Sequence, residues 1–521
     1  MKKNIKVYEN GQYIEKQINY IPLRYILAIL ITFLEVCSII GAVVALAIFV
    51  PYFYIAIAIT QVVSVVIIVV SKRTPDYKLT WLFFMTMLPV VGLMLFFIFQ
   101  NRKIPKKYVK KLECVENSYE YNHSENFYEL KKLNTYMASQ AKSLCANSGG
   151  YLYQNTKLTY YPVGEKLQEA MLFDLKNAKK FIFLEYFIIE QGQFWDSLLN
   201  ILVQKQSQGV EVKIVYDDIG CMGTLPGNYF KTLRKNYGFD VVLFSKLKGQ
   251  ADGEFNNRSH RKIMVLDGQV GFTGGVNIAD EYINQNPRLG HWKDTAIRLE
   301  GEAVNGLTKL FLTDFYINSK TQPQDLEKYY IAQKVEDVNN FVVPFGAGPL
   351  PLYQNNVAKI AIMHLLNHSQ NYVYITSPYL IIDDELMSAI KNTAMRGVDV
   401  TIIVPHIPDK KFVFAMTKSY YKELIKFGVK VYEYTPGFIH AKSYIADDKT
   451  AIIGTINLDY RSLSHHFENG VWIYNDRCII DMKNDFEQTL EKSQYMNNVK
   501  HKQGVFSKLF NTIIKLFAPL L

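Results

Sequence analysis

One eight-residue pattern occurs twice in this chain, and the repeat constrains the fold and the chemistry more than any other feature. The pattern H-x-K-x-x-x-x-D occupies residues 260–267 and again residues 440–447. Its defined positions are His260, Lys262 and Asp267 in the first copy, and His440, Lys442 and Asp447 in the second. A glycine and an asparagine follow each copy at matching offsets: Gly274 and Asn277, and Gly454 and Asn457. The chain therefore repeats a whole constellation of residues.

The spacing inside each motif suits the chemistry of a phosphate group. Side chains alternate along a β-strand, so a histidine and a lysine two residues apart point into the same space. The lysine ammonium offers a compact positive charge with several donors, and the imidazole can attack or deliver a proton near neutral pH. In the first motif, the apolar residues 263–266 predict a buried strand, which Asp267 and Gly268 end as a turn.

The repeat extends well beyond the motifs. Near-continuous apolar runs, typical of strands covered by helices on both faces, occur at Phe181–Leu184, Val212–Tyr216, Tyr372–Ile375 and Val400–Val404. Each pair of runs encloses an amphipathic segment that ends at a glycine, Gly209 or Gly397. Alternating strands and helices of this kind predict an α/β fold built from βαβ units. We place the first lobe at residues 151–333 and the second at residues 335–500.

The N-terminal part of the chain is far more apolar than the rest. Its apolar runs predict transmembrane helices at about residues 25–50, 52–71 and 79–99. These runs are longer than the core of a secretory signal peptide, and they define a membrane region of residues 1–111. A polar segment, residues 112–150, connects this region to the first lobe. Residues 501–521 have helical apolar spacing and predict an amphipathic helix, either at the membrane interface or packed on a lobe.

The distribution of basic residues bears on the orientation of the membrane region. Basic clusters lie before the first run, between the second and third, and after the third, and each favours the cytoplasmic side. Three full crossings cannot place all three clusters on the same side of the membrane. Either one run is re-entrant or fused with another, or the weak first cluster lies on the outer side. The densest cluster, within residues 102–111, adjoins the lobes. It predicts a multi-pass membrane protein with its lobes on the cytoplasmic side.

The composition of the chain limits which binding partners are expected. A formal charge of +10 suits an anionic membrane surface. Nucleic acid would match the sign of this charge but would give no reason for the apolar runs, so lipid is the expected partner. The five cysteines are scattered without a C-x-x-C pair, which is typical of a reduced chain without a cysteine metal site. The oligomeric state stays open.

The motifs and their surroundings resemble the paired signatures of the phospholipase D superfamily, and the apolar N-terminus makes the bacterial cardiolipin synthases the nearest group. The stretches that carry the resemblance are NNRSHRKIMVLDG, GFTGGVNIADEY, IHAKSYIADD and GTINLDYRSLSHHFENG. The resemblance implies two duplicated lobes of the phospholipase D type, each a mixed sheet flanked by helices, after N-terminal transmembrane helices. It also implies that the two motifs face each other across a pseudo-twofold axis and form one site.

Candidate partners for the histidines come from the segments that follow the motifs. An acidic residue precedes the next apolar strand in each lobe, Asp294 in the first and Glu468 in the second. A catalytic imidazole needs a partner on its far ring nitrogen to fix its tautomer, and a carboxylate commonly supplies it. Solvated carboxylates at strand starts are the alternative interpretation. Asn277 and Asn457 are candidates for holding phosphate oxygens.

Other polar residues near the motifs are weaker candidates, each with a structural alternative. They are Arg461 and Ser462 for a second phosphate, Asp217, Asp218 and Glu185 for substrate hydroxyls, and His465 and His466 at the rim of the cleft.

The resemblance implies a phosphatidyltransferase that converts two phosphatidylglycerol molecules into cardiolipin and glycerol through a phosphohistidine. The catalytic set is then His260, Lys262, Asp267, His440, Lys442 and Asp447. By the same analogy, His260 is the nucleophile and His440 the acid and base, while the lysines and asparagines hold the phosphoryl oxygens. No metal or other cofactor is needed, because the lysines supply the positive charge.

Three alternatives remain beside this interpretation. A phospholipase D or another head-group exchange enzyme would differ only in the alcohol that resolves the covalent intermediate. A nucleic-acid phosphodiesterase would not need apolar spans, and a catalytically inactive membrane scaffold would not need two intact motifs. We further expect the apolar runs to localise the enzyme without contributing to its chemistry, because both lobes bring their own strands and helices.

Overall fold

The computed structural model shows an N-terminal helical part followed by two α/β lobes. It describes residues 2–9, 12–19, 23–49, 52–71, 75–99, 106–246, 257–331, 335, 338–349, 352–353, 355–498, 514–515 and 517–520.

The chain begins with a β-hairpin and two long apolar helices. The hairpin pairs β1 (Lys2–Glu9) with β2 (Gln12–Asn19), and α1 (Leu23–Phe49) and α2 (Phe53–Val70) follow it. Within them, Ile29–Ile48 has a mean hydropathy of 2.5 and α2 one of 2.7. A span of this length covers the hydrocarbon core of a bilayer, so α1 and α2 are the two candidate membrane spans among the described residues.

The predicted third span is not one continuous helix. Residues 79–99 lie in two shorter helices, α3 (Pro75–Met87) and α4 (Pro89–Phe99), which are about 20 Å and 16 Å long and each too short to cross. The break falls at Leu88 because Pro89 has no amide hydrogen and disfavours a helical residue before it. The rings of Trp81 and Phe96 meet at 5.4 Å, so α3 and α4 fold back on each other.

The close approach of these two helices depends on a glycine. A Cβ at Gly92 would lie 2.6 Å from the backbone oxygen of Phe84, so no larger residue fits there. We call residues 75–99 the helical hairpin. Its fold-back is the shape that the sequence-based alternative of a re-entrant run requires.

Three helices connect the hairpin to the lobes: α5 (Lys106–Asn117), α6 (Ser124–Leu133) and α7 (Thr135–Ser148). After them, β3 (Tyr153–Gln154) pairs with a strand of the second lobe. The first lobe's own sheet begins at Lys157, shortly after the boundary predicted at residue 151.

The first lobe is built on a mixed sheet. Its strands are β4 (Lys157–Tyr161), β5 (Phe181–Tyr186), β6 (Glu211–Asp217), β7 (Asp240–Phe244), β8 (Lys262–Leu266), β9 (Val270–Gly274) and β11 (Ala296–Glu300). Their order across the sheet is β4-β11-β9-β8-β5-β6-β7. The strands β5, β6 and β7 run parallel to one another, and all other neighbours are antiparallel.

The second lobe repeats this arrangement. Its strands are β12 (Phe341–Ala347), β13 (Tyr372–Thr376), β14 (Asp399–Pro405), β15 (Lys430–Tyr434), β17 (Ser443–Ala446), β18 (Thr450–Gly454), β19 (Glu468–Tyr474) and β20 (Ser493–Tyr495). The order β20-β15-β14-β13-β17-β18-β19-β12-β3 contains the connectivity of the first sheet with one extra strand at each edge. The duplicated mixed α/β fold predicted from the sequence is confirmed.

Helices cover both sheets. They are α8 (Gly164–Asn177), α9 (Gln193–Ser207), α10 (Tyr229–Tyr237), α11 (Val304–Asn318), α12 (Val357–His368), α13 (Asp384–Met395), α14 (Lys411–Lys426), α15 (Tyr460–Ser464) and α16 (Cys478–Glu491). At the C-terminus, most of the predicted amphipathic helix lies outside the described residues. A short 3-10 turn, Ala518–Leu520, buries Ala518 in the core of the second lobe.

The two lobes form one body. A two-stranded parallel ladder joins them, made by β10 (His291–Lys293) of the first lobe and β16 (Gly437–Ile439) of the second. A parallel bridge between Ser259 and Phe467 repeats this contact on the other side. One apolar core contains side chains from both lobes, among them Phe183 and Ile473. The motif histidines come directly after these crossing points, so the lobe interface fixes their positions.

Candidate active site

Each motif histidine is held by a carboxylate of the opposite lobe. The Nδ1 of His260 lies 2.9 Å from Oε2 of Glu468, and the Nδ1 of His440 lies 2.6 Å from Oδ2 of Asp294. Backbone bonds cross in the same way, since the amide of His260 donates to Phe467 O and that of His440 to Lys293 O. Both carboxylates are fully buried. The carboxylate fixes the hydrogen at Nδ1 and leaves Nε2 for the substrate.

The motif lysines extend along the same strands. Lys262 donates to the backbone oxygen of His260 at 2.8 Å, and Lys442 donates to that of His440. Both lysines are buried, at 1% and 0% exposure. Their charges act on both histidines, so all four side chains form one cationic site between the lobes. This is the geometry that the resemblance implied.

The glycines of the repeat explain how the carboxylates come so close. A Cβ at Gly274 would lie 2.4 Å from Thr295 O, and one at Gly454 would lie 2.3 Å from Asn469 O. Each glycine therefore allows the segment that follows Asp294 or Glu468 to approach β9 or β18, the strand beside the motif strand.

Protonation in this site is set mainly by burial. Burial, and then the two lysine charges, lower the pKa of His260 and of His440 well below the usual value, which favours neutral imidazoles. Burial raises the pKa of Asp294 and of Glu468 to about 7. Each histidine and its carboxylate therefore titrate as a pair that gains or loses one proton near neutral pH.

The pKa values of the two motif lysines are also lowered to near neutral pH. Burial lowers the pKa of Lys262 to about 7, with Lys442 as a second cause, and lowers the pKa of Lys442 to about 8. A bound phosphodiester anion would favour the charged form of both lysines. Binding of an anion therefore favours protonated lysines in this site.

The structure does not bring Asp267 and Asp447, which the sequence placed in the catalytic set, into the site with the histidines and lysines. Both lie at the far end of the motif strand, in a left-handed conformation at φ 54° and 56°. Asp267 accepts the amide hydrogens of Lys179, Lys180 and Phe181 at 2.7, 2.7 and 2.9 Å. Asp447 accepts those of Gln370, Asn371 and Tyr372. These carboxylates fix the start of β5 and of β13.

The two asparagines differ from each other. The side chain of Asn277 has structural partners on both of its polar atoms. Its Oδ1 accepts a hydrogen bond from the amide of Ile188 at 3.1 Å, and its Nδ2 donates one to the hydroxyl of Tyr282 at 2.7 Å. The Oδ1 of Asn457 is buried without a hydrogen-bond partner. The two side chains therefore differ in how far the fold uses them, while the predicted contact to a phosphate oxygen, which only the Nδ2 hydrogens can make, stays a prediction for both.

Supporting residues around Glu468 were not predicted from the sequence. Thr455 donates to its Oε2, and Ser462, at 2.7 Å, to its Oε1. Burial and this network fix the carboxylate against His260.

Two weaker candidates from the sequence, Asp217 and Glu185, have structural partners. Asp217 accepts a hydrogen bond from Arg258 at 2.9 Å, and Glu185 accepts one from Ser259 at 2.6 Å. No local pattern signals the contacts of Asp217 and Glu185, because their partners are 41 and 74 residues away in sequence.

Arg261, between the histidine and lysine of the first motif, joins the lobes. It is fully buried and contacts Asp314 at 2.9 Å, Tyr353 at 2.7 Å and the backbone oxygen of Glu468 at 3.1 Å. The second motif has Ala441 at this position. The two half-sites are therefore alike in their histidines and lysines but different in what supports them.

One group of side chains could in geometry hold a cation. Ligand atoms of His260, His466 and Glu468 lie within 4.8 Å of one another, a cluster that the motif stretches alone did not reveal. The charges of Lys262 and Lys442 act on this place and oppose a divalent cation there. The same charges favour an anion, such as a phosphodiester.

Comparison with known families agrees with the duplication. The family described as "Cardiolipin synthase, PLD-like domain" matches residues 171–296 and 362–490, and the family described as "Phospholipase_D-nuclease N-terminal" matches residues 61–101. The second match covers most of α2 and the whole helical hairpin.

Several known proteins are similar over most of the chain. A cardiolipin synthase of Halalkalibacterium halodurans is 33% identical over 90% of this chain and 94% of its own. A Staphylococcus aureus cardiolipin synthase is 31% identical over 87% and 93%. A Streptococcus mutans protein described as uncharacterized is 41% identical over 88% and 99%. Among solved structures, Haemophilus influenzae phosphatidylserine synthase shares the fold, with a TM-score of 0.57, 16% identity, and coverage of 73% of this chain and 100% of that one.

Proposed function

The chain belongs to the cardiolipin synthase family of phospholipase D-like proteins, and on that premise we propose that it transfers a phosphatidyl group between two phosphatidylglycerol molecules. The products are cardiolipin and glycerol. The observation that carries the proposal is the pair of crossed histidine–carboxylate contacts, His260–Glu468 and His440–Asp294, in one lysine-lined site.

The first half of the reaction forms a covalent intermediate. The Nε2 of His260 attacks the phosphorus of one phosphatidylglycerol, a P–N bond forms, and the P–O bond to the head-group glycerol breaks. The pair of His440 and Asp294 holds one proton near neutral pH and passes it through His440 Nε2 to the departing glycerol oxygen. Lys262 and Lys442 stabilise the negative charge that builds on the phosphoryl oxygens.

The second half reverses these roles. His440, now neutral, takes the proton from a primary hydroxyl of the second phosphatidylglycerol. That oxygen attacks the phosphohistidine, and the P–N bond to His260 breaks to give cardiolipin. The same two histidines serve both halves, so the reaction is reversible and needs no further group.

The choice between the histidines rests on family resemblance and on one structural difference. Arg261 and Glu468 both support the first motif, while the second has Ala441 in the place of Arg261. A rigidly held His260 suits a nucleophile, since attack on phosphorus depends on close alignment.

The apolar spans hold the enzyme at a membrane, and this favours a lipid hydroxyl over water as the acceptor.

The same spans bear on the orientation of the protein in the membrane. In the proposed topology α1 and α2 cross the membrane, which returns the chain to the side from which it started, and the helical hairpin stays on that side; the lengths of these helices support this arrangement. All three basic clusters then lie on one side, which we propose is the cytoplasmic side. The conflict that three crossings would create disappears.

Lipid analysis tests the proposal. Purified full-length protein in vesicles of phosphatidylglycerol should form cardiolipin and release glycerol in equal amounts. Formation of phosphatidic acid in place of cardiolipin would identify a phospholipase D, and an added alcohol that enters the product would identify a broader head-group exchange enzyme. Absence of all products would support an inactive scaffold.

A further inference from the structure

The helical hairpin contacts the second lobe beside the active site. The hydroxyl of Tyr460 donates to Oδ2 of Asp76 at 2.8 Å. Asp76 lies in the first turn of α3, and Tyr460 is the first residue of α15. Hydrogen bonds to an ionised carboxylate are about twice as strong as neutral ones, so this contact can hold α15 in place.

The short helix α15 supports the nucleophilic half of the site. Its third residue, Ser462, donates to Oε1 of Glu468 at 2.7 Å, and Glu468 in turn holds Nδ1 of His260. Ser462 also accepts the amide hydrogen of Asn457 at 2.7 Å. One turn of helix therefore links Asp76 to the carboxylate that sets the tautomer of His260.

A second contact holds the hairpin against the same place. The ring of Phe84 in α3 lies 5.5 Å from that of Phe517, edge to face. The adjoining 3-10 turn, Ala518–Leu520, packs against both α3 and α15. Since Ala518 is buried in the core of the second lobe, the hairpin is attached to that lobe at two points.

We propose that Asp76 is a positioning residue of the active site, through which the helical hairpin sets α15 and, by way of Ser462, the carboxylate of Glu468. This inference rests on the proposed function, and it replaces the expectation that the membrane region serves only for localisation. The hairpin exposes large apolar side chains, among them Leu79, Met87 and Phe97, that suit a lipid environment. The membrane-bound part of the chain is therefore part of what aligns His260.

The test uses full-length protein in phosphatidylglycerol vesicles. The variants are Asp76→Asn, Tyr460→Phe and the double variant. Asp384→Asn is the matched control, because Asp384 is close enough to interact electrostatically with Asp76 but lies on α13. Total cleavage of the donor, cardiolipin formation and the rate of phosphoenzyme formation are measured separately.

We expect each single variant to lower kcat about 10-fold, within the loss of up to about 100-fold that a misplacement of 1 Å can cause. KM should stay within about twofold. The double variant should lose no more than Tyr460→Phe alone, because Asp76→Asn takes the charge from the acceptor of the contact and Tyr460→Phe removes its donor. The acidic limb of the pH–rate profile should also move, since Glu468 sets it. A role confined to stability would lower the melting temperature and leave kcat and the pH profile of the folded protein unchanged.

Several outcomes would overturn the inference: kcat within twofold of the parent in both single variants, an equal loss in Asp384→Asn, or additive losses in the double variant. If Asp76→Asn does not fold, Tyr460→Phe decides, because it removes the same bond from the lobe. A parent enzyme that cleaves the donor without forming cardiolipin would refute the proposed product. The variants would still test the positioning role through donor cleavage.

Discussion

The Nδ1 of His440 and the Oδ2 of Asp294 lie 2.6 Å apart although they belong to different lobes. His260 and Glu468 repeat this relationship in the opposite direction at 2.9 Å. Neither lobe therefore contains a complete catalytic pair, and the parallel ladders between the lobes determine whether the chemistry is possible. The predictions below follow from this arrangement and from the protonation of its groups.

Removal of the two histidines should separate their roles. His260→Ala should be inactive on every substrate and form no adduct, because nothing remains to attack phosphorus. His440→Ala should lose about 10² to 10⁴ in rate with a glycerol leaving group, the usual size of a general-acid effect. It should still form an acid-labile phosphoenzyme from a p-nitrophenyl phosphodiester of the lipid. An adduct in His260→Ala but not in His440→Ala would reverse the assignment.

The motif aspartates should affect stability and not chemistry. Asp267→Ala removes the acceptor for three amide hydrogens, and we expect a loss of about 2–4 kcal/mol in the free energy of unfolding. Activity per folded molecule should stay close to the parent value, because the five-residue strand β8, roughly 17 Å long by strand rise, separates this side chain from the site. Asp447→Ala is the symmetry-matched comparison. Denaturant unfolding and kcat on the same samples check both, and a collapse of kcat without loss of stability would contradict this role.

The pH dependence of kcat/KM should be bell-shaped with a narrow maximum near neutral pH. Below about pH 7, Glu468 is protonated and donates to His260 Nδ1, which places the imidazole hydrogen on Nε2 and blocks attack. Above about pH 7, the pair of His440 and Asp294 loses its transferable proton and Lys262 loses its charge. Activity therefore falls on both sides.

Substrate should shift the alkaline limb of this profile. A bound phosphodiester raises the pKa of Lys262 and Lys442, so the alkaline limb of kcat should lie at higher pH than that of kcat/KM. Initial rates at saturating and at low phosphatidylglycerol measure the two profiles. A flat profile between pH 6 and 9 would show that these groups do not titrate in the reaction.

Activity should not depend on a divalent metal. The cluster of His260, His466 and Glu468 could in geometry bind a cation, but the lysine charges oppose it. Assays with excess chelator should retain full turnover. Loss of activity that one added metal restores would assign the cluster to a metal and remove His260 as a free nucleophile.

The sequence predicted the parts of this protein whose signals are local. The duplicated α/β lobes follow from repeated apolar runs and a repeated motif, and the structure confirms that fold. The sequence also identified Asp294 and Glu468 as partners of the histidines, but it could not show that they cross between lobes. Such pairings depend on how β10 and β16 meet, and no spacing along one chain segment encodes that contact.

Other features were misjudged for physical reasons. Asp267 and Asp447 have a fixed spacing from the histidines, yet a five-residue strand carries them away from the site, and a motif does not distinguish a chemical role from a structural one. The third apolar run met the criterion of length for a span, but Pro89 breaks it and Gly92 allows the two halves to pack. The sequence did not reveal that Arg261 connects the two lobes, because its partners, Asp314 and Tyr353, are remote in sequence.

The crossed pairs also restrict how such a protein can have arisen. A chain with a single lobe could complete a site only by pairing with an identical copy around a twofold axis, because its histidine needs the carboxylate of a neighbour. In such a homodimer, any substitution appears in both halves at once. Joining both lobes in one chain removes that constraint, and the two halves of this chain differ at two such places: Asp294 corresponds to Glu468, and Arg261 to Ala441. Each half of the site can therefore specialise separately.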